Sequence, residues 1–224
     1  MRFRLTYEGP LKATQRDATG QQPDRLAEHK QCIRKKFHQQ LKQLWATNRF
    51  LREHREPVKA RLRVNQLPIA DPRLFWSPSK DAETVTLSEY VANLFQRNGY
   101  RFVPLVREEI SLLCSLDVLF LRRDAPGSAI QAGDIDNRIK TLIDCLRMPK
   151  SAQELVGNET PASDEDPFYC LLEDDNLVSA FSVETDTLLD PPQLPADEDR
   201  RMVRIVITVD LSPYDVTKFN LSFA

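Results

Sequence analysis

Glycine is scarce in this chain, 6 among 224 residues, and nowhere do glycines gather into the phosphate-cradling loops of P-loop or dinucleotide-binding proteins. The four cysteines, Cys32, Cys114, Cys145 and Cys170, are scattered and form no Cys-x-x-Cys pair. That argues against a disulfide framework or a cysteine-built zinc site, and reduced, mostly buried thiols are expected. The histidines His29, His38 and His54 lack metal-ligand spacing and read as helix-surface residues. No nucleophilic Ser/His set is present. No stretch approaches the roughly 20 apolar residues of a membrane-crossing helix. The opening residues, Met1-Arg2-Phe3-Arg4-Leu5-Thr6, read as a strand rather than a signal sequence, so a cytoplasmic protein with no membrane partner is expected.

What is present suits one domain with a substantial core: 41% of residues are hydrophobic and 29% charged. The net charge of −2 hides an asymmetry. Residues 1–63 hold 16 Lys and Arg against 6 Asp and Glu, a net +10, and the remainder holds 15 against 27, a net −12. A basic first third can face a polyanion and an acidic remainder can gather cations; the plain alternative is solvated surface.

Periodicity supplies the elements. Phe3, Leu5 and Tyr7 alternate with polar residues, as in a half-buried strand. From Asp24 an amphipathic helix is expected, with Leu26, Ile33, Phe37, Leu41, Leu44 and Trp45 on one face and Lys30, Arg34, Lys35 and Lys42 mostly elsewhere. Pro57 is a natural stop. Val58 to Val85 reads mostly as loop, and Trp76 within it as an anchor or a base-stacking wedge. Thr86-Leu87-Ser88-Glu89 has the form of a capping box, with Gly99 as the stop of its helix. Strands are expected over 100–106, 112–122, 177–184 and 202–211, and a helix over 137–146. The sum is an α/β (α+β) domain with a mixed, largely antiparallel sheet packed against helices. It carries an added segment at about 47–109 and acidic loops at about 148–170 and 186–200.

One constellation stands out: Gly133-Asp134-Ile135-Asp136-Asn137, then Lys140, Asp144 and, far downstream, Glu173-Asp174-Asp175. On an extended segment, Asp134 and Asp136 would face the same side, with Asp136 capping the helix that follows. Asn137, Lys140 and Asp144 would share its polar stripe. Oxygen-only ligands of this kind suit Mg²⁺ or Mn²⁺, which can polarise a phosphodiester and activate water while an ammonium neutralises developing charge. Each piece also has a plain reading. Asp136 could be only a cap, Asp174-Asp175 a turn, and Lys140 a surface partner of Asp144 one turn on.

The ordered set D-x-D-N, a lysine four residues after the second aspartate, an aspartate four beyond that, and a D-D pair before the next strand resembles the RusA family of Holliday junction resolvases. The resemblance runs over about 1–10, 110–146, 172–185 and 202–211. It implies metal-binding catalytic carboxylates at Asp134, Asp136 and Asp175, an essential basic residue at Lys140, and supporting roles for Asn137, Asp144 and Asp174. It also implies a homodimer, because two symmetric cuts in branched DNA need two sites about a two-fold axis. Lys30, Arg34, Lys35 and Lys42 are the expected DNA phosphate contacts, with the acidic loops around 164–166 and 197–199 projecting away. The alternative is a RusA-like binding or interaction module that no longer cuts.

Overall fold

The computed structural model describes residues 1–13, 24–57, 84–123, 134–191, 202–217 and 220–223, with the side chain of Asp134 excepted. Most of the 58–85 segment, Trp76 included, lies outside the described residues, as does the 197–199 run.

The principal sheet has four strands in the order β1 (Arg2–Pro10), β9 (Met202–Pro213), β6 (Leu112–Arg122) and β8 (Val178–Thr187). β9 is antiparallel to β1 and β6, whereas β6 and β8 are parallel and are connected through helix α4 (Asp134–Leu146). The alternation seen in the sequence becomes the two faces of the sheet. Leu5, Tyr7, Leu116, Val118, Phe120, Ile205, Ile207 and Val209 are all buried on one side. Against them pack Ile33, Phe37 and Leu41 of helix α1 (Ala27–Thr47) and Ile139, Leu142 and Leu146 of α4. Each such side chain contributes about 1.5–3 kcal/mol by leaving water.

α1 starts where Asp24 accepts the Leu26 N–H at 2.9 Å and ends at Asn48. Asn48 turns extended and caps the short helix α2 (Arg49–Glu53) by accepting the Leu51 N–H at 3.1 Å. β2 (Arg55–Pro57) pairs with β3 (Thr84–Thr86), and helix α3 (Leu87–Leu94) follows. The N-cap half of the box forms, with the Thr86 hydroxyl accepting the Glu89 N–H at 3.2 Å, while the Glu89 carboxylate pairs with Arg101 instead. Gly99 has a different job from the expected helix stop. With φ +51 and +79, Asn98 and Gly99 make the two-residue turn joining β4 (Gln96–Arg97) to β5 (Tyr100–Val106). Asn-Gly is the favoured dipeptide for a turn needing two left-handed residues.

The 47–109 segment is not peripheral. Leu51, Leu87, Val91, Val103 and Leu105 belong to the main core, and β5 pairs in parallel with β7 (Phe168–Leu172). The 148–170 stretch is likewise built in: Met148, Leu155, Phe168 and Cys170 close a second apolar cluster with Tyr100 and Phe102. The fold is α+β, with mostly antiparallel strands. Among the described residues no helix is long and apolar enough to cross a membrane.

Candidate functional site

α4 begins at Asp134, so the backbone through Asp136 is helical rather than extended. The two-residue period that was expected to align Asp134 with Asp136 therefore does not operate, and Asp136 lies in the first turn rather than at the cap. A carboxylate is favoured there by the partial positive charge of the helix N-terminus. Asp136 is exposed, Asn137 half-buried, and Lys140, one turn further on, exposed.

Asp144 leaves this surface altogether. It is 8% exposed, and its two oxygens accept from Lys30 at 2.8 Å and Arg147 at 2.9 Å. Burial acts to raise its pKa, but these two cations hold the carboxyl below its ordinary value. The i+4 pairing of Lys140 with Asp144 is thus not made. Among the described residues, the side chains of Asp136 and Lys140 have no hydrogen-bond or ion-pair partner.

The expected basic DNA face of α1 needs correction. Lys30 and Arg34 are 3% and 2% exposed. Lys30 bridges Asp24 and Asp144, both at 2.8 Å, and Arg34 binds the Glu154 carboxylate at 2.9 Å and the Asp144 carbonyl at 3.1 Å. Next along the same stripe, His38 is 2% exposed, not a surface residue. Its Nδ1 accepts the Tyr169 N–H at 2.8 Å and its Nε2 faces the Asp164 carbonyl at 3.2 Å. Lys42 then donates to that same carbonyl at 2.9 Å. Positions 30, 34, 38 and 42 recur every four residues, so they form one stripe along the helix. Its buried members, Lys30, Arg34 and His38, face α4 and the 148–167 connection, and Lys42, itself exposed, reaches the same connection. Lys35, beside it, pairs with Glu165 at 2.8 Å, and Arg101 of β5 with Asp166 at 2.8 Å. The 164–166 run therefore lies against α1 and β5 and does not project away.

The downstream acids follow β7. Glu173 turns toward β5, accepting the Glu108 N–H at 3.0 Å, and burial raises its pKa. Asp174 caps the short turn Asp175–Leu177 by accepting the Asn176 N–H at 3.2 Å. Lys150, which no sequence pattern marked, places Nζ 3.0 Å from Asp174 and 2.9 Å from Asp175. Partial burial works to raise the Asp174 carboxyl, but its contacts with Asp175, Lys150 and the Asn176 N–H take it down to about 2.

Lys150 follows the end of α4, whereas Asp136 sits in the first turn, roughly 15 Å back along an axis rising about 1.5 Å per residue. Among the described residues, no three His, Cys, Asp or Glu side chains are grouped to hold a metal ion. Asp136 is thus not brought to Asp174 and Asp175. The pair itself offers hard oxygen donors already gathered around a cation, the Lys150 ammonium. Mg²⁺ asks for one or two carboxylates plus waters and phosphate oxygens, and in that respect the pair fits.

No family model matches the chain, and searches of characterised proteins and of solved structures likewise gave no match.

Proposed function

We propose that this chain is a cytoplasmic, Mg²⁺-dependent, structure-selective DNA endonuclease of RusA type, acting as a homodimer on four-way junctions or related branched DNA. The observation that carries the proposal is the state of Asp136 and Lys140. They stand exposed one turn apart at the head of α4, while Asp144, the structural partner available to Lys140, is occupied by Lys30 and Arg147. An ammonium not engaged in stabilising the fold is free to meet a phosphate.

In this reading the Asp174–Asp175 pair would hold the metal, which would supply an activated water, and Asp136, which stands apart from that pair at the head of α4, would join it, with Asp134, only on the bound DNA. Lys140 neutralises charge on the phosphate under attack. Asn137 supports the head of α4, and Asp144 anchors the helix from below. Mn²⁺ has the same preference for oxygen donors and can substitute.

A second reading, a DNA-binding or protein-interaction module that does not cut, draws on a different observation. Asp136 is separated from the Asp174–Asp175 pair, and Lys150 already offsets one of that pair's two charges. A labelled four-way junction distinguishes the two. Nicks that require Mg²⁺ or Mn²⁺ establish the nuclease, whereas junction binding without cleavage at any concentration of either ion establishes the module.

A further inference from the structure

We infer that the outer face of the principal sheet is the interface with a second copy of this chain, the two sheets stacking face to face about a two-fold axis. The inference gives a contact surface to the homodimer of the proposed function, and it rests on that reading only there.

The helices α1 and α4 pack on the side of the sheet that carries Leu5, Ile207 and Val118. Alternate residues of the same strands point the other way. Register sets Thr6, Val206, Leu119 and Glu184 in one row across that outer face, and Arg4, Thr208, Asp117 and Ser182 in the next. Leu119, Leu121 and Val206 are partly exposed, and among the described residues they lie neither in the core nor packed against it. A sheet that turns one face to water carries polar side chains there. Aliphatic residues at the middle of the face, on the two central strands, suit packing on another sheet.

Charge selects the occupant. The β1–β9 half of the face carries Arg2, Arg4 and Arg204 against Glu8 and Asp210, whereas the β6–β8 half carries Asp117, Glu184 and Asp186 and no base. Within the protomer Arg2 pairs with Asp210, and Arg204 with Glu8. Arg4 on one edge strand and Glu184 on the other remain exposed, and neither side chain has a partner among the described residues. A face that is basic toward one edge and acidic toward the other is complementary to itself. A two-fold axis along the strands sets β1 of one copy over β8 of the other, and the reverse. Each Leu119 then stacks on a Val206 across the axis, and each Arg4 comes within one pleat of a Glu184. Four strands about 4.8 Å apart and about nine residues long span roughly 600 Å² in projection, comparable with the 800 Å² or so per partner of a stable interface.

Sedimentation equilibrium of the full chain without DNA tests this. Wild type should be a dimer at micromolar concentration. Leu119→Asp should weaken association at least about a hundredfold, because it puts an unpaired charge at the centre of the contact in both copies. Leu94→Asp, at an exposed leucine of α3, should leave it unchanged. Arg4→Glu should weaken it about tenfold, and Arg4→Glu with Glu184→Arg should recover most of that loss by restoring opposite charges. Near-ultraviolet circular dichroism checks folding, and if Leu119→Asp does not fold, the charge swap decides alone. A monomeric wild type overturns the inference. So does a dimer indifferent to Leu119→Asp, or an Arg4→Glu loss that Glu184→Arg does not recover. The junction assay reports separately: a dimer that obeys these changes but does not cut upholds the interface and defeats the nuclease, and Mg²⁺-dependent cleavage by a dimer indifferent to them does the reverse.

Discussion

Lys30 and Asp144 are 114 residues apart in the chain, yet their side chains meet at 2.8 Å inside the protein. The pair joins α1 to α4, and Asp24, Arg147, Glu154 and Arg34 extend it into a chain of alternating charges. Such a network is demanding, because removing one member leaves a partner charged and out of water. Lys30→Met should therefore cost about 3 kcal/mol of stability, measured by urea unfolding, the lower end of what losing half of a buried pair costs. Lys140→Gln, an exposed change, should stay within about 0.5 kcal/mol. Equal effects of the two substitutions would show that Lys30 is no more structural than a surface lysine.

Acid should loosen the same region in two stages. His38 is pushed below its ordinary value by burial, and His29, whose Nε2 accepts the Lys12 N–H, is brought to about 4 by burial and the nearby Lys12 and Lys30. Both have folded-state values below the unfolded one, so the unfolded chain binds protons first as pH falls. Their contribution is whole above about pH 6.5, the unfolded histidine value, and is lost as pH drops through the folded values. Asp144, also depressed, gives a second loss below about pH 4, the ordinary range for aspartate. Thermal midpoints measured from pH 7.5 to 4.5 should decline, and His38→Leu should flatten the slope. A profile with no slope between pH 6.5 and 4.5 would remove both histidines from the account.

Much of the architecture was legible because one-sided burial leaves a period. β1, β6 and β9 showed as alternation, and α1 and α4 as apolar stripes. The Thr86 cap was a local signal, fulfilled locally, whereas the Glu89 half of the box went to Arg101. What the periodicity could not reveal was the partner of a polar stripe. Lys30, Arg34, His38 and Lys42 are spaced for a common face, but a cationic face looks alike whether it meets water, DNA or an acidic segment more than a hundred residues away. Their regular spacing was the clue that they act together. The Asn98-Gly99 pair was a hairpin signal obscured by the more familiar reading of glycine after a helix. At the candidate site the residue types were readable and their convergence was not, since the helix starting at Asp134 changes the geometry that an extended segment would have given. Lys150 carried no mark at all, because its role comes only from the fold of the connection.

Lys35 and Lys42 allow a check on where nucleic acid binds. Both already contact the 164–166 run, Lys35 through Glu165, whose side chain is only 4% exposed. Lys35→Glu with Lys42→Glu should lower the unfolding free energy measured in urea by about 1 kcal/mol, for the like charge set against Glu165. A lysine that contacts phosphate contributes about one unit to the slope of log affinity against log salt. Since these two are engaged within the chain, the slope for junction binding should change by less than one unit for the pair. A loss of about two units would place the DNA on α1 after all.

The head of α4 carries the decisive test of function. Asp136→Asn keeps size and polarity at an exposed first-turn position, so folding should be nearly unchanged, with at most a few tenths of a kcal/mol lost from the helix dipole. Junction cleavage should fall by at least about a hundredfold, because an amide is a poor replacement for a carboxylate holding a metal or its water. Binding should persist or tighten, since one negative charge facing the phosphate is gone. Lys140→Gln should lose a similar share of cleavage, and Lys140→Arg should recover only part of it, because a planar guanidinium presents its donors differently from a compact ammonium. The structure has already removed the competing account of Lys140, for Asp144 is committed to Lys30 and Arg147. Any activity lost in Lys140→Gln therefore cannot come from a broken i+4 pair. Measured together, an unchanged unfolding midpoint and a collapsed cleavage rate in both variants would mark this surface as the catalytic one. Wild-type cleavage in either variant would exclude that residue from the chemistry.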